Sequence, residues 1–182
     1  NLKGRVGSWN GPGRKQGRLW FDDVDYLGVK SNFQAGKRID EVTTMWMCDY
    51  NWWSVWYTDV KVDHVANPFN ANTGFARNCH AKTVYADAIR IDGMAVNITV
   101  DKLIGGVPGG DWGYVHTDMF QLSNKLKNGI YQNITGKDIR GQGMSLGGQT
   151  DSAFVNIDVT VNAQNIGLRL FWQQHNVLLE NV

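Results

Sequence analysis

Apolar and polar residues alternate along short segments of this chain, as residues 60–62 and 155–161 show. A period of two residues is typical of strands that bury one face. A polar residue followed by an apolar one also recurs along the chain, at intervals of about 20 residues. The recurring polar positions are Asp23, Glu41, Asp59, Asn78, Asn97, Asn133, Asn156 and Asn176. Spacing of this kind predicts stacked coils, because one coil cannot bury its apolar face alone.

A second pattern lies downstream of the repeated turn. Residues 88–91, 119–122, 143–146 and 167–170 share a template with apolar residues at the second and fourth positions. If these strands stack in register, the apolar residues form two inward columns and the residues between them form an outward ladder. The inward columns are Ile89, Phe120, Met144 and Leu168, and Ile91, Leu122, Leu146 and Leu170; the outward ladder is Arg90, Gln121, Ser145 and Arg169.

The two patterns predict an all-β fold, a parallel β-helix with two strands per coil and about 20 residues in each coil. A propeller blade would need about 40 residues. We expect a single domain over residues 1–182, with residues 1–17 as an irregular lead-in and an enlarged coil near residues 97–133. The chain ends just after what reads as an opening strand at Asn176, which predicts a fragment of a longer chain or a partner that covers the end.

The enlarged coil contains the block His116-Thr117-Asp118-Met119-Phe120-Gln121, and Asn-Ile-Thr occurs at 97–99 and 133–135. These elements resemble the right-handed parallel β-helix proteins of the pectate-lyase-like superfamily, most clearly over residues 59–182. The resemblance implies a right-handed coil and a location that is extracellular or on a cell or virion surface. The superfamily includes polysaccharide lyases, glycoside hydrolases and phage tailspikes, and no motif here selects one of them. The calcium-binding aspartates of true pectate lyases are not matched.

Composition narrows the classes of function. The net charge of +1 gives no electrostatic footprint for nucleic acid or an anionic membrane. No apolar run approaches the roughly 18 residues that would predict membrane insertion. Cys48 and Cys79 are expected to be buried free thiols, since two cysteines make no disulfide framework. Aromatic residues cluster at 46–57, which suits either sugar binding or a subunit interface.

The enlarged coil is the predicted functional site. Residues 105–113 and 123–129 are extra stretches that bracket the strand at 116–122. Insertions in a stacked fold become loops, so two flanking loops would wall a groove over that strand. The alternative is a surface excursion without function, because loop insertions cost little stability.

Candidate catalytic residues are His116 as general base, Tyr114 as proton donor, and Asp118 with Asp87. Asp87 precedes Ala88 as Asp118 precedes Met119, so the carboxylates should lie on adjacent coils about 5 Å apart. Such a pair suits proton sharing, a calcium ion or a retaining glycosidase, whereas the alternative is a turn cap. The candidate substrate-binding residues are Gln121, Arg90, Arg169, Trp112 and Tyr85, with the arginines suited to a sugar carboxylate.

No spacing of His64, His80 or His175 matches a zinc motif, so these are expected to be structural or surface residues, and calcium is the one candidate cofactor. The leading hypothesis is a protein that binds an acidic polysaccharide and cleaves it by β-elimination or hydrolysis. One alternative is a non-catalytic adhesion module, such as part of a trimeric phage tailspike. The other is a structural solenoid of a filament or surface layer. The expected partners are the polysaccharide and either further copies of the chain or further coils of the same chain.

Overall fold

A computed structural model of the chain describes residues 18–27, 54–65, 67–104, 117–122, 126–162, 167–170 and 173–182. Every regular element in these ranges is a β-strand. The strands are β1 (Arg18–Asp22), β2 (Asp25–Leu27), β3 (Ser54–Thr58), β4 (Lys61–Asp63), β5 (Phe69–Val84), β6 (Ile89–Leu103), β7 (Asp118–Leu122), β8 (Ile130–Ile139), β9 (Gln142–Leu146), β10 (Thr150–Val161), β11 (Leu168–Leu170) and β12 (His175–Glu180). Among these residues there is no helix with the length and apolarity to cross a membrane.

All strand pairs are parallel, and they form three stacks. The site face contains residues 69–71, 89–91, 118–122, 142–146 and 168–170. The stripe face contains residues 18–22, 54–58, 74–77, 93–96, 130–132, 153–155 and 178–180. The charged face contains residues 25–27, 61–63, 79–84, 98–103, 134–139 and 157–161. The predicted all-β fold with parallel pairing is therefore confirmed.

Each long strand serves more than one face because it turns at an asparagine. Asn78 in β5 and Asn97 in β6 have φ values of 55° and 56°, in the left-handed region that asparagine tolerates better than most residues. The chain stays extended on both sides of that one residue, so it pairs with its neighbours before and after the turn. The sequence pattern predicted two separate strands for each repeat. In the structure, β5 and β6 each continue through the turn, because a single residue makes it.

Inward side chains from all three faces pack into one core cluster. The hydroxyl of Tyr131, on the stripe face, donates to the backbone carbonyl of Ile91 on the site face, at 2.6 Å. Tyr57 likewise donates to the carbonyl of Asn70, at 3.0 Å. Burial raises the pKa of Tyr131, so its phenol stays protonated and remains a donor. These bonds tie two faces together through the core.

The inward columns predicted on the site face are confirmed by the strand register. Ile89, Phe120 and Leu146 are fully buried. Leu168 and Leu170 occupy the same columns but are 39% and 50% exposed. Their strand, β11, is the last of this stack within the described residues, so only one side of it is covered.

The repeated asparagines form a hydrogen-bonded ladder along the edge between the stripe face and the charged face. Each side-chain amide donates to the preceding side-chain oxygen at 2.9–3.1 Å. The ladder runs through Asp59, Asn78, Asn97, Asn133, Asn156 and Asn181, with 19, 19, 36, 23 and 25 residues between successive members. Its members have φ between 52° and 56°. The prediction that these polar positions are equivalent turns is confirmed for Asp59, Asn78, Asn97, Asn133 and Asn156, and Asp23 has a similar left-handed φ of 49°.

One assignment in the repeat is corrected. Asn176 is not the neighbour of Asn156; it donates to Asp151 at 2.8 Å in a second ladder, and Asn181 takes the place expected for it. Glu41 lies outside the described residues. The strand before Asp23, β1, pairs directly with the strand before Asp59, β3, so the interval between these two turns is as long as the one from Asn97 to Asn133. The irregular lead-in predicted for residues 1–17 also lies outside the described residues.

Candidate functional site

The predicted outward ladder exists on the site face. Gln121 is the register partner of Ser145, which is in turn the partner of Arg169, and Arg90 lies beside Gln121 because Ile89 pairs with Phe120. Arg90, Gln121 and Arg169 are half-buried, and Ser145 is only 4% exposed. The ladder is therefore more enclosed than a solvated polar surface, and its guanidinium groups lie in a partly desolvated setting that strengthens charged hydrogen bonds.

Asp87 lies at the start of this face and positions the neighbouring strand. Its Oδ1 accepts the backbone N–H of Asp118 at 3.0 Å, and its Oδ2 lies 3.5 Å from a guanidinium nitrogen of Arg90. The side-chain amide of Asn67 donates to the backbone carbonyl of Asp87 at 3.2 Å. One carboxylate thus caps the beginning of β7 and orients an arginine of the ladder.

Asp118 is aligned with Asp87 on the next strand, as the sequence predicted. It is fully buried, whereas Asp87 is 8% exposed. The backbone carbonyl of Asp118 accepts the N–H of Ala88 at 3.0 Å, and its register partner on the other side is Gln142. This packing supports the turn-capping interpretation of the pair, because a fully buried carboxylate does not touch a polymer without local opening.

The described surroundings of Asp87 and Asp118 provide few ligands for a metal ion. Across the described ranges, no group of three or more His, Cys, Asp or Glu side chains is placed to hold one. The neighbours of the two carboxylates in the buried column are Asn67 and Gln142, which offer amide oxygens only. The calcium ion considered for Asp87 and Asp118 would have to take its remaining ligands from elsewhere.

Tyr85 lies beside His64, a histidine that no sequence pattern marked as its partner. The Tyr85 hydroxyl lies 2.8 Å from His64 Nδ1, and the two rings are stacked with centroids 6.0 Å apart. Tyr85 is 2% exposed, and His64, at φ 55°, donates its backbone N–H to Asp63. The pair could pass a proton between phenol and imidazole, at the corner between the charged face and the site face. Its members are 21 residues apart, and only the strand register juxtaposes them.

Part of the predicted site lies outside the described residues. His116, Tyr114, Trp112 and the stretch 105–113 lie outside the described residues. Of the second stretch, residues 126–129 are described: Leu126 is buried, and the N–H of Asn128 donates to the carbonyl of Thr150 at 3.0 Å. This part of the stretch is therefore bound to the sheet.

The free thiol of Cys79 is buried, as predicted, and burial raises its pKa to about 11. It accordingly stays protonated and unreactive near neutral pH. Cys48 lies outside the described residues.

No protein-family model matches the sequence, and neither the curated proteins nor the solved structures compared with it give a match. The pectate-lyase-like superfamily therefore stays a prediction that depends on the sequence motifs and is compatible with the large parallel sheet.

Proposed function

We propose that this chain is an extracellular parallel β-helix protein that binds an acidic polysaccharide along its site face. The observation that carries the proposal is the outward column of Arg90, Gln121 and Arg169, held in register on parallel strands. A half-buried pair of arginines on a parallel sheet suits a ligand with repeated carboxylates. The extracellular location is part of the same proposal, since such polysaccharides are found there.

Three features support a β-helix. The three stacks share one core, equivalent left-handed turns recur on successive strands, and every pairing is parallel. A chain that winds repeatedly through three stacks in this order forms coils, here proposed to average about 20 residues apart from the enlarged ones. The right-handed sense is the one that parallel crossover connections adopt almost always.

The geometry of the column suits a carboxylated polymer that runs across the strands. Arg90 and Arg169 are three strand steps apart, which is about 14 Å at the spacing of neighbouring strands. Each guanidinium can hold a carboxylate in a bidentate manner, and Gln121 between them can bond to hydroxyl groups. Asp87 orients Arg90 from behind, at 3.5 Å.

Cleavage is the less supported part of the proposal. A lyase must neutralise the uronate carboxylate, remove the C5 proton and protonate the leaving oxygen. The arginines serve the first task, while the second and third would require His116 and Tyr114. A hydrolase would require Asp87 and Asp118, and the burial of Asp118 disfavours that role. The same burial favours a second candidate function, a non-catalytic adhesion module that uses the same face.

The test is a titration of the purified protein with anionic polysaccharides, followed by calorimetry and by absorbance at the wavelength of unsaturated uronates. Arg169→Gln should weaken binding by at least about tenfold, since a hydrogen bond to a charged group contributes roughly 1.5–3 kcal/mol. Arg140→Gln is the matched control, because that exposed arginine pairs with Asp138 on the charged face. It should bind as the wild type does.

The outcomes separate the alternatives. An absorbance rise that His116→Ala abolishes indicates a lyase, whereas reducing ends without absorbance indicate a hydrolase. Binding without products indicates adhesion. Equal binding by wild type and Arg169→Gln, or no binding to any anionic polysaccharide, contradicts the proposal.

A further inference from the structure

The stripe face carries an unbroken outward column of apolar side chains across seven strands. The column, called the apolar stripe here, is Trp20, Trp56, Phe75, Met94, Ile130, Ala153 and Leu178. Trp20, Met94, Ile130 and Leu178 are 61%, 41%, 42% and 51% exposed. Trp56, Phe75 and Ala153 are half-buried. A contiguous apolar row that reaches solvent marks an interaction surface more often than single exposed apolar residues do.

The aromatic end of the stripe is arranged to pack against a protein. Trp56 and Phe75 stack on each other, with centroids 5.9 Å apart and planes 16° apart, so their ring faces point along the stripe. Sugar rings stack on exposed aromatic faces, and this pair turns its faces towards each other. Trp20 is tilted by 75° from Trp56 and donates its indole N–H to Thr58 Oγ1 at 3.2 Å.

The side chains of the stripe are larger at one end than at the other. Its first three members are aromatic, and its last three are Ile130, Ala153 and Leu178. We propose that the stripe face is the interface between two copies of this chain, related by a two-fold axis that runs parallel to the strands between Met94 and Ile130. Met94 of each copy then packs against Ile130 of the other, Phe75 against Ala153 and Trp56 against Leu178. The two aromatic side chains each face a smaller one, and Met94 faces a side chain of similar size, as close packing requires.

Polar residues beside the stripe select this register. The residue two positions before each of the last six stripe members is polar, and these residues are Ser54, Thr73, Asp92, Asn128, Asp151 and Asn176. Ser54 is hydrogen-bonded to Thr73, and Asn176 to Asp151. In the proposed register, Asp92 of one copy faces Asn128 of the other, and Thr73 faces Asp151, so acceptors meet donors. A shift by one strand would place Asp92 against its own symmetry mate and bring Asp22 near Glu180. Like charges at such an interface are costly.

The size of the surface sets the expected strength. Six facing strands span about 29 Å, and five residues across the face span about 16 Å, so the footprint is roughly 460 Å² per copy. The total is below the 1,200–2,000 Å² that stable specific interfaces bury. The dimer should therefore be reversible, with a dissociation constant in the micromolar range.

The first experiment is sedimentation equilibrium of the wild-type chain from about 1 to 100 µM, the range that a micromolar dissociation constant implies. We expect a concentration-dependent dimer. Ala153→Glu places a carboxylate in the contact and should raise the dissociation constant at least tenfold. Thr160→Glu, at an exposed position of the charged face, is its matched control and should leave dimerisation unchanged.

The second experiment tests the register with cysteine pairs in a Cys48→Ser/Cys79→Ala background. Phe75→Cys/Ala153→Cys should form an intermolecular disulfide under mild oxidation, because these positions face each other across the axis. Within one chain they are three strand steps apart, about 14 Å, too far for a disulfide. Met94→Cys/Leu178→Cys has the same intramolecular separation but is two strands out of register in the dimer, so it should cross-link poorly.

A monomer at every concentration overturns the proposal, as does equal cross-linking of the two cysteine pairs. If Ala153→Glu stays monomeric like the wild type but loses polysaccharide binding, the stripe is a sugar surface and the proposal is also wrong. The dimer does not depend on the polysaccharide function, so either proposal can fail without the other.

Discussion

The side-chain amide of Asn133 donates a hydrogen bond to Oδ1 of Asn97 at 3.0 Å, although 36 residues separate the two along the chain. The strands on either side of these asparagines remain in register, since Met94 pairs with Ile130 and Ile98 with Ile134. The long interval therefore returns to the same turn position without disturbing the stack. The register of the stacked strands determines where the turn lies, while the number of residues between two successive turns varies.

Substitutions of Asn133 should distinguish the contribution of the left-handed turn to stability from that of the ladder hydrogen bonds. Asn133 has φ 54°, where alanine costs roughly 1–2 kcal/mol of strain. Alanine also loses the hydrogen bonds to Asn97 and from Asn156, each with a net contribution of about 0.5–1.5 kcal/mol. Asn133→Gly loses the same two hydrogen bonds but accepts the backbone conformation. Urea unfolding should therefore rank the wild type above Asn133→Gly and Asn133→Gly above Asn133→Ala. Gln132→Ala, at the exposed neighbouring position, should change little; an Asn133→Ala protein as stable as this control would contradict the role of the turn.

Gly93 should tolerate no side chain, because the strand before it lies too close. A Cβ placed there would be 2.2 Å from the backbone carbonyl oxygen of Gly74, and backbone cannot move aside cheaply. Gly93→Ala should destabilise the protein by about 1–3 kcal/mol or more. Gly167→Ala is the control, since no atom lies within 4 Å of the Cβ that it would add. Thermal unfolding of both variants checks the difference, and similar melting temperatures would show that the strands separate easily.

Asp87 offers a test of turn capping against catalysis. Its Oδ1 accepts the N–H of Asp118, so Asp87→Ala leaves that buried donor unsatisfied and should cost about 1–3 kcal/mol. Asp87→Asn keeps an acceptor oxygen and should be closer to wild type in stability. Asp158→Ala, on the exposed charged face, is the control. If cleavage is observed and Asp87→Asn abolishes it at unchanged stability, the carboxylate is catalytic and not merely a cap.

The sequence predicted most of the fold because alternation and a shared template report which side chains face inward. It placed Ile89, Phe120 and Met144 in one buried column, and the register confirms that alignment. It failed at Asn176 because two ladders of left-handed turns lie five residues apart, as Asn176 and Asn181 do, and counting intervals does not distinguish them. Its placement of Glu41 in the repeat stays a prediction, since that residue lies outside the described ranges.

The candidate site was predicted less completely. The alignment of Asp87 with Asp118 follows from the template, but their burial depends on the side chains that pack at the corner of the fold. Alternation along one strand carries no information about those neighbours. The contact between His64 and Tyr85 joins residues on successive strands at a turn, where neither spacing nor residue type marks the pair. Such contacts are set by the register of the whole stack.

The stability of the protein should depend measurably on pH through Asp101 on the charged face. Partial burial acts to raise the pKa of Asp101, but hydrogen bonds from Lys137 and His80, each 2.7 Å long, outweigh it and hold the pKa below its ordinary value of 3.8. A carboxyl whose pKa is lowered by folding contributes stability that is present above its unfolded pKa and is lost as the pH falls below it. Asp101→Asn should therefore unfold at lower urea than the wild type at pH 6, and the difference between the two proteins should begin to shrink as the pH falls below about 4. Asp158→Asn should track the wild type at both pH values, and added salt should narrow the difference at pH 6, since the group is near the surface. A constant difference between wild type and Asp101→Asn from pH 6 to pH 3 would show that the side chain acts through packing and not through its charge.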